Sequence, residues 1–401
     1  MQVGVLDSCD EAIRSGWGVN YQVADRATLH QMQDWWPPGW SRQSSENLSV
    51  QLTGGLRFGE LTSFLRKHYT KGTMDLEHLM IRLRQRDKLP IPKSRYRQWY
   101  FSDDQHSLYW HSGFLEYVNI RSTLLAHGLD VAREPGLVYV DIGGSSGRLS
   151  RQWAVQHPSA TVLTTELNRG DVGFLCRHNI GRALVNSYLP PIAGLPDGSV
   201  SVLTSMSVFT HLTHKAMMAW LREVKRVLKP GGFAWLTIHG DDTWRRIKDG
   251  DETDGIWNAI KHFRELVPDE HGHERKMLPN LRSWLFSSRD KIPPGVVVLA
   301  IPHSNAGFET GLRGGQISPG VGPYASKSRG DEARFIQTFV SYDFVRKYWS
   351  KELDIVAILP QSSGRPRQEW ECGTPACVRD AQLRPKNLPI GQDVVLLRKP
   401  P

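Results

Sequence analysis

The clearest periodic signal in the chain runs from Thr213 to Leu228, where Met217, Trp220, Leu221, Val224, Val227 and Leu228 recur at the i, i+3, i+4 spacing of a helix with one buried face. Lys229-Pro230-Gly231-Gly232 stops it, because proline lacks the amide that a helix interior needs and glycine favours helix ends. Around this helix lie short, strand-like runs: Leu137 to Ile142, Thr161 to Glu166, Arg182 to Asn186, Ser199 to Ser205 and Phe233 to Ile238. Runs of that length and apolarity suit strands buried on both faces, and helical segments between them give the alternation of a parallel sheet. A helix near Ser341 to Glu352, a strand at Ile355 to Leu359 and a last strand at Asp393 to Lys399 follow later.

The pattern divides the chain into five parts. Residues 1–56 are polar and irregular, with Trp35-Trp36-Pro37-Pro38-Gly39-Trp40 barred from helix by its prolines, and read as an arm on the core. Residues 57–135 read as a helical cap, with Phe114, Val118 and Leu124 at helical spacing. The alternating core spans 136–240. From 241 to 333 regularity is lost and Gly, Pro, His and Arg dominate, while Trp244, Trp257, Phe263, Trp284, Phe286 and Phe308 supply apolar surface. So long an irregular stretch beside the fifth strand is expected to act as a lid or substrate insertion. Residues 334–401 complete the core sheet. No internal repeat is present.

Composition narrows the class. Hydrophobic content of 39% and charged content of 23% are those of a globular protein, and no apolar run reaches the roughly 20 residues that span a bilayer. Met1 to Ile13 carries Asp7, Asp10 and Glu11 and lacks the basic-then-apolar order of a signal peptide, so a cytoplasmic location is expected. Cys9, Cys176, Cys372 and Cys377 show neither a disulfide framework nor a zinc spacing, and are expected to be inert thiols. The net charge of +9 is densest between Arg82 and Arg97, where Asp87 is the single acid and Trp99 and Tyr100 follow. Basic residues beside aromatics suit nucleic acid, yet the alternation of Arg82, Arg84 and Arg86 with Ile81 and Leu83 equally describes a solvated face.

Chemistry concentrates after the first strand, in Asp141-Ile142-Gly143-Gly144-Ser145-Ser146-Gly147-Arg148. Glycines at such a turn let a ligand approach backbone N–H groups at the edge where open α/β sheets bind nucleotides. A dinucleotide fingerprint starting at Gly143 would need glycine where Ser145 and Arg148 stand, which counts against NAD. A carboxylate at Asp141 would repel a pyrophosphate but suits S-adenosylmethionine (SAM), which carries a sulfonium, an ammonium and no phosphate. Glu166 ends the second strand 19 residues after Gly147, where a carboxylate can accept hydrogen bonds from ribose hydroxyls.

Downstream, Asn186-Ser187-Tyr188-Leu189-Pro190-Pro191, Leu195-Pro196-Asp197-Gly198-Ser199, Ser207-Val208-Phe209-Thr210-His211-Leu212 and Arg226-Val227-Leu228-Lys229-Pro230-Gly231-Gly232 occur in an order that, with the 140–240 block, resembles the class I SAM-dependent methyltransferases. About half of the chain is covered, including the terminal Gln392 to Lys399, which resembles that family's last, antiparallel strand. The resemblance implies a Rossmann-like, doubly wound, seven-stranded α/β sheet with an antiparallel last strand; the helical N-terminal cap is read from the spacing above, and the N-terminal arm and the long insertion after strand five lie outside the resemblance. It implies SAM as cofactor, held by Asp141, Gly143, Gly144, Ser145 and Gly147 at the methionine end, by Glu166 with Leu167 at the ribose, by Asn186 or Ser187 at the adenine amino group, and bounded by Ser205 and Met206 along the transfer channel. Two positions depart from the family: Ser145 stands where glycine is usual, and Ser201 where an aspartate is usual.

Because SAM carries an activated methyl group, the protein mainly positions the acceptor and, where needed, removes a proton. His211, just beyond the fourth strand, is a candidate base or a packing histidine, and His239 and Asp241 after the fifth strand are further candidates. His262, His271 and His273 offer no clear third ligand, so no metal is expected. The expected acceptor is a hydroxyl or amine of a small molecule or sugar, with no membrane partner. A nucleic-acid methyltransferase is the alternative, disfavoured because Ser205-Met206-Ser207-Val208 replaces the Asn-Pro-Pro-Tyr type of tetrapeptide; a non-catalytic SAM-binding protein is another.

Overall fold

The fold was obtained as a computed structural model that describes residues 87–92, 106–248, 265–267, 276–278, 280, 283–284, 287, 295–300, 336–360 and 392–401. The 1–56 arm, the basic residues 82–86 and 93–97, the three insertion histidines, and Cys9, Cys372 and Cys377 lie outside the described residues.

Strands β1 (Val138–Ile142), β2 (Thr161–Glu166), β3 (Arg182–Val185), β4 (Val200–Ser205), β5 (Leu228–Ile238), β10 (Asp354–Leu359) and β11 (Asp393–Arg398) form one seven-stranded sheet in the order β10-β11-β5-β4-β1-β2-β3. The pairs from β5 through β3 are parallel, and β11 lies antiparallel between β5 and β10. The expected α/β architecture with an antiparallel last strand is therefore present. The chain reverses its strand order at β1/β4, the crevice at which such sheets bind ligands.

Both faces are covered, which is why the strands read as continuous apolar runs. On one face Tyr139, Val202, Phe233 and Trp235 pack with Trp110, Phe114 and Tyr117 of α1 (His106–Ala126) and with Trp153 of α2 (Ser150–Gln156). On the other, Val140, Leu203 and Leu236 pack with Met217, Trp220, Leu221 and Val224 of α4 (His214–Val227) and Phe344 and Val345 of α6 (Tyr342–Tyr348). Thr213 caps α4 by accepting the N–H of Ala216 at 3.3 Å, so the helix begins where its periodicity does. Between β2 and β3, α3 (Arg169–Arg177) buries Val172, Phe174 and Leu175.

Three findings correct the sequence reading. The Lys229-Pro230-Gly231-Gly232 segment is not merely a helix stop: it enters β5, with a register irregularity opposite Val200 to Val202. The stretch after Asp241 is not wholly irregular. It opens with α5 (Asp241–Lys248) and contributes β6 (Glu265–Val267), β7 (Lys276–Met277) and β8 (Val296–Ala300) to a second, antiparallel sheet in the order β7-β6-β8-β9, completed by β9 (Ile336–Val340). Cys176 is disulfide-bonded, which overturns for that residue the expectation of a reduced thiol.

Strand β9 fastens the second sheet to the ends of β4 and β5. The Thr338 hydroxyl donates to the Leu212 carbonyl at 2.6 Å, the Val340 N–H donates to the His239 carbonyl at 2.9 Å, and Phe339 packs on His239 and edge-on to Trp244. Among the described residues no helix is long and apolar enough to cross a membrane, and no cluster of side chains has the composition of a metal site.

Candidate functional site

The site grows from the pleat of β1. In register, Asp141 lies between Thr164 of β2 and Thr204 of β4. The Thr204 hydroxyl donates to Asp141 Oδ1 at 2.8 Å and the Ser150 hydroxyl to Oδ2 at 2.9 Å; Tyr139 and Thr164 donate in turn to Thr204 and Ser150 at 2.6 and 2.7 Å. Asp141 thus works from beneath the turn, as an anchor between three strands and the start of α2. Burial raises its pKa to about 6 despite the two hydroxyl donors and the nearby Arg148.

Above it the turn is tight. Gly143 has φ +70, and a Cβ there would meet Val208 Cγ2 at 2.4 Å, so the position needs both the left-handed backbone and the missing side chain. Ser145 has φ +49, the conformation glycine supplies in the resembled family. Here the serine is gripped twice: its N–H donates to Glu166 Oε2 at 2.8 Å and its hydroxyl donates to Asp171 Oδ2 at 3.2 Å. Ser201, the second departure, is buried and accepts the Val138 N–H at 3.3 Å, which ties the start of β1 to β4 without an acid.

Glu166 ends β2 against the same turn. Its Oε1 accepts the N–H groups of Leu167 and Asn168 at 2.7 and 3.0 Å while Oε2 holds Ser145. Burial nevertheless raises its pKa, with these backbone donors opposing. Leu167 is 37% exposed, one of few large apolar side chains left open among the described residues, and stands beside this carboxylate. At the end of β3 the Asn186 N–H donates to the Glu166 carbonyl at 2.9 Å, which brings Asn186 and exposed Ser187 to the same edge. Ser205 ends β4 fully buried, its hydroxyl without a hydrogen-bond partner, and half-buried Met206 packs against the cluster under α1.

SAM fits these residues. Asp141, Glu166 and Asp171 are buried carboxyls around one turn, and among the described residues none of them forms an ion pair. Such a setting favours a ligand bearing positive charge and disfavours a pyrophosphate.

The three catalytic candidates part company. His211 lies in a 3₁₀ turn (Phe209–His211) after β4, half-buried, with Nδ1 2.8 Å from the Ile336 carbonyl on β9. A carbonyl oxygen only accepts, so Nδ1 carries the proton and Nε2 of the neutral ring keeps its lone pair. Burial lowers its pKa, the Ile336 contact opposing. His239 is 2% exposed, with its ring against Phe339. Asp241 begins α5, and its Oδ2 accepts the Tyr342 N–H at 2.7 Å, a link from the end of β5 to the start of α6.

Sequence reasoning passed over Asp171, which looks like an ordinary acid in the first turn of a helix, and over Ile336, whose strand lies 125 residues from His211. Thr164 and Thr204 were open to it, since they stand at the depth of Asp141 on neighbouring strands.

Comparison with known proteins places a family described as "Methyltransferase domain" on residues 140–236. No curated protein matches the sequence. Among solved structures, a SAM-dependent methyltransferase from Mesorhizobium loti is 13% identical, with 69% of this chain and 96% of that one covered at a TM-score of 0.38. A glycopeptide N-methyltransferase solved with SAM is 12% identical, covering 70% and 92% at 0.34. The CcbJ methyltransferase from Streptomyces caelestis is 9% identical, covering 72% and 90% at 0.36.

Proposed function

We propose that this chain, whose residues 140–236 match a methyltransferase domain and lie in a seven-stranded, mostly parallel sheet, uses SAM to methylate a hydroxyl or amine of a small-molecule or sugar-type acceptor, with His211 receiving the acceptor's proton. When bound, SAM supplies a methyl group activated by its sulfonium. The chain's own residues do the rest. Asp141 holds the Gly143 to Gly147 turn in shape from below, Glu166 and Leu167 receive the ribose and the base, and Asn186 or Ser187 meets the adenine amino group. Ser205 and Met206 line the approach from the end of β4.

The observation that carries the acceptor side is the His211–Ile336 contact. It fixes the ring in the tautomer whose Nε2 can take a proton, and burial keeps that ring neutral near pH 7. A hydroxyl gives up its proton as it is methylated and an amine does so afterwards, so a neutral imidazole at this edge can receive it; a thiolate or an already anionic acceptor has none to give. Strand β9, which supplies the contact, belongs to the second sheet, and this supports the insertion as the part that bounds the acceptor. His239 and Asp241 enter as supports of that edge rather than as proton acceptors.

The test is methyl transfer from labelled SAM to a panel of small hydroxylated and amino compounds, with RNA and DNA alongside. Label in small molecules, lost in His211→Ala, supports the reading. Label only in nucleic acid contradicts the acceptor class, and SAM binding with no transfer to any acceptor contradicts the enzyme.

A further inference from the structure

Asp171 is 3% exposed, makes no ion pair among the described residues, and has its Oδ1 buried without a hydrogen-bond partner. Burial raises the pKa of this carboxyl well above the ordinary carboxylate range. An uncompensated buried acid is costly, and a leucine or methionine would pack a helix face better. Among the described residues its side chain accepts a hydrogen bond from Ser145 Oγ at Oδ2, at 3.2 Å. Ser145 in turn is the residue of the turn that carries a side chain at positive φ, a conformation that costs an L-residue roughly 1–2 kcal/mol against glycine.

We propose that Asp171 is a positioning residue for the cofactor turn: by accepting the Ser145 hydroxyl it holds that serine left-handed, which aims the Ser145 N–H at Glu166 and keeps the turn open to SAM. Serine and aspartate then form a pair that does together what a glycine does alone. The inference rests on the reading of the 141–147 turn as the SAM site. It assigns Asp171 no contact with SAM, so its effect must pass through Ser145.

The experiment is a double-mutant cycle on the full chain with Asp171→Ala, Asp171→Asn, Ser145→Gly and Ser145→Gly/Asp171→Ala, read by SAM titration calorimetry and by amide exchange of the SAM-free protein over residues 143–147. Asp171→Ala is expected to weaken SAM roughly tenfold, the worth of a hydrogen bond left unmade. Asp171→Asn, which keeps a carbonyl acceptor, should stay within about threefold of wild type. In the Ser145→Gly background the alanine substitution should change affinity less than about twofold, because glycine needs no grip. Exchange in the turn should quicken in Asp171→Ala and return to the wild-type rate in the double variant. Equal losses from Asp171→Ala with and without Ser145 would overturn the proposal, as would unchanged exchange in the turn. Should wild type bind no SAM, the reading of the site fails, while the exchange comparison still decides whether Asp171 holds Ser145.

Discussion

The backbone N–H of Ser145 donates to Glu166 Oε2 at 2.8 Å, so the turn after β1 and the acid at the end of β2 are one unit before any ligand arrives. Glu166 also receives Leu167 and Asn168 N–H groups through Oε1. A carboxylate can accept on both oxygens, whereas a glutamine has one accepting oxygen and turns an amide group toward the remaining N–H donors.

Glu166→Gln is therefore expected to be no milder than Glu166→Ala. Each should weaken SAM by about 1–3 kcal/mol, the usual loss for hydrogen bonds to a charged group. Calorimetric titration decides it: affinity for Glu166→Gln equal to wild type would show that the ribose assignment and the backbone grip are both dispensable.

The buried clamp between Asp87 and Arg151 gives a stability prediction. Arg151 Nε lies 2.8 Å from Asp87 Oδ2 and a terminal nitrogen 3.0 Å from Oδ1, both side chains are fully buried, and Trp110 Nε1 donates to the same carboxylate at 2.6 Å. Removing one partner strands the other charge, so Asp87→Ala or Arg151→Met should each cost about 3–5 kcal/mol in denaturant unfolding. The paired replacement should cost less than the sum of the two. Strict additivity would mean that the two groups are not coupled.

That clamp also shows how far the sequence could be read. Asp87 registers there only as the single acid in a basic stretch, a surface feature by charge pattern; its burial depends on Arg151 and Trp110, which are 64 and 23 positions away. The main sheet was legible because its strands are short apolar runs and the turn after β1 carries glycines. The second sheet was not, since β8 and β9 pair although residues 301–335 separate them in the sequence. The Asp141, Gly143 and Glu166 positions were visible as motif. Asp171 was hidden, because a carboxyl at a helix start has a sufficient local explanation in the helix dipole.

Among the buried titrating groups, His157 and Asp141 oppose each other in acid. Burial lowers the His157 pKa to about 4, so its contribution to stability is whole above pH 6.5 and is lost as pH falls and the unfolded chain takes up the proton. Asp141, raised from 3.8 to about 6, does the reverse: its contribution is whole below 3.8 and is lost as pH rises through about 6. Each shift corresponds to about 3 kcal/mol, so in wild type the two nearly cancel between pH 7 and 4. Asp141→Asn should accordingly lose more stability than wild type on going from pH 7 to 4.5, and His157→Gln less. Parallel stability curves for all three proteins would refute the assignment.

For His211 the lowered pKa fixes the sign of the rate profile. The base form is neutral, so turnover should rise with pH along a limb below 6.5 and be level from pH 7 upward. His211→Ala should lower turnover by about 10²–10⁴-fold with little change in SAM affinity. Full activity in that variant at pH 7 would remove His211 from proton transfer.

The turn from Asp141 to Gly147 is expected to hold SAM. The most direct test is titration calorimetry of the full chain with SAM, S-adenosylhomocysteine and NAD, repeated on Gly143→Trp, whose side chain must enter the space Val208 occupies or block the turn. One equivalent of SAM, or of S-adenosylhomocysteine in its place, is expected to bind per chain, NAD is expected not to bind, and Gly143→Trp is expected to lose both ligands while its main sheet stays folded by circular dichroism. Undiminished SAM affinity in a folded Gly143→Trp, or tight binding of NAD in place of SAM, would contradict that expectation.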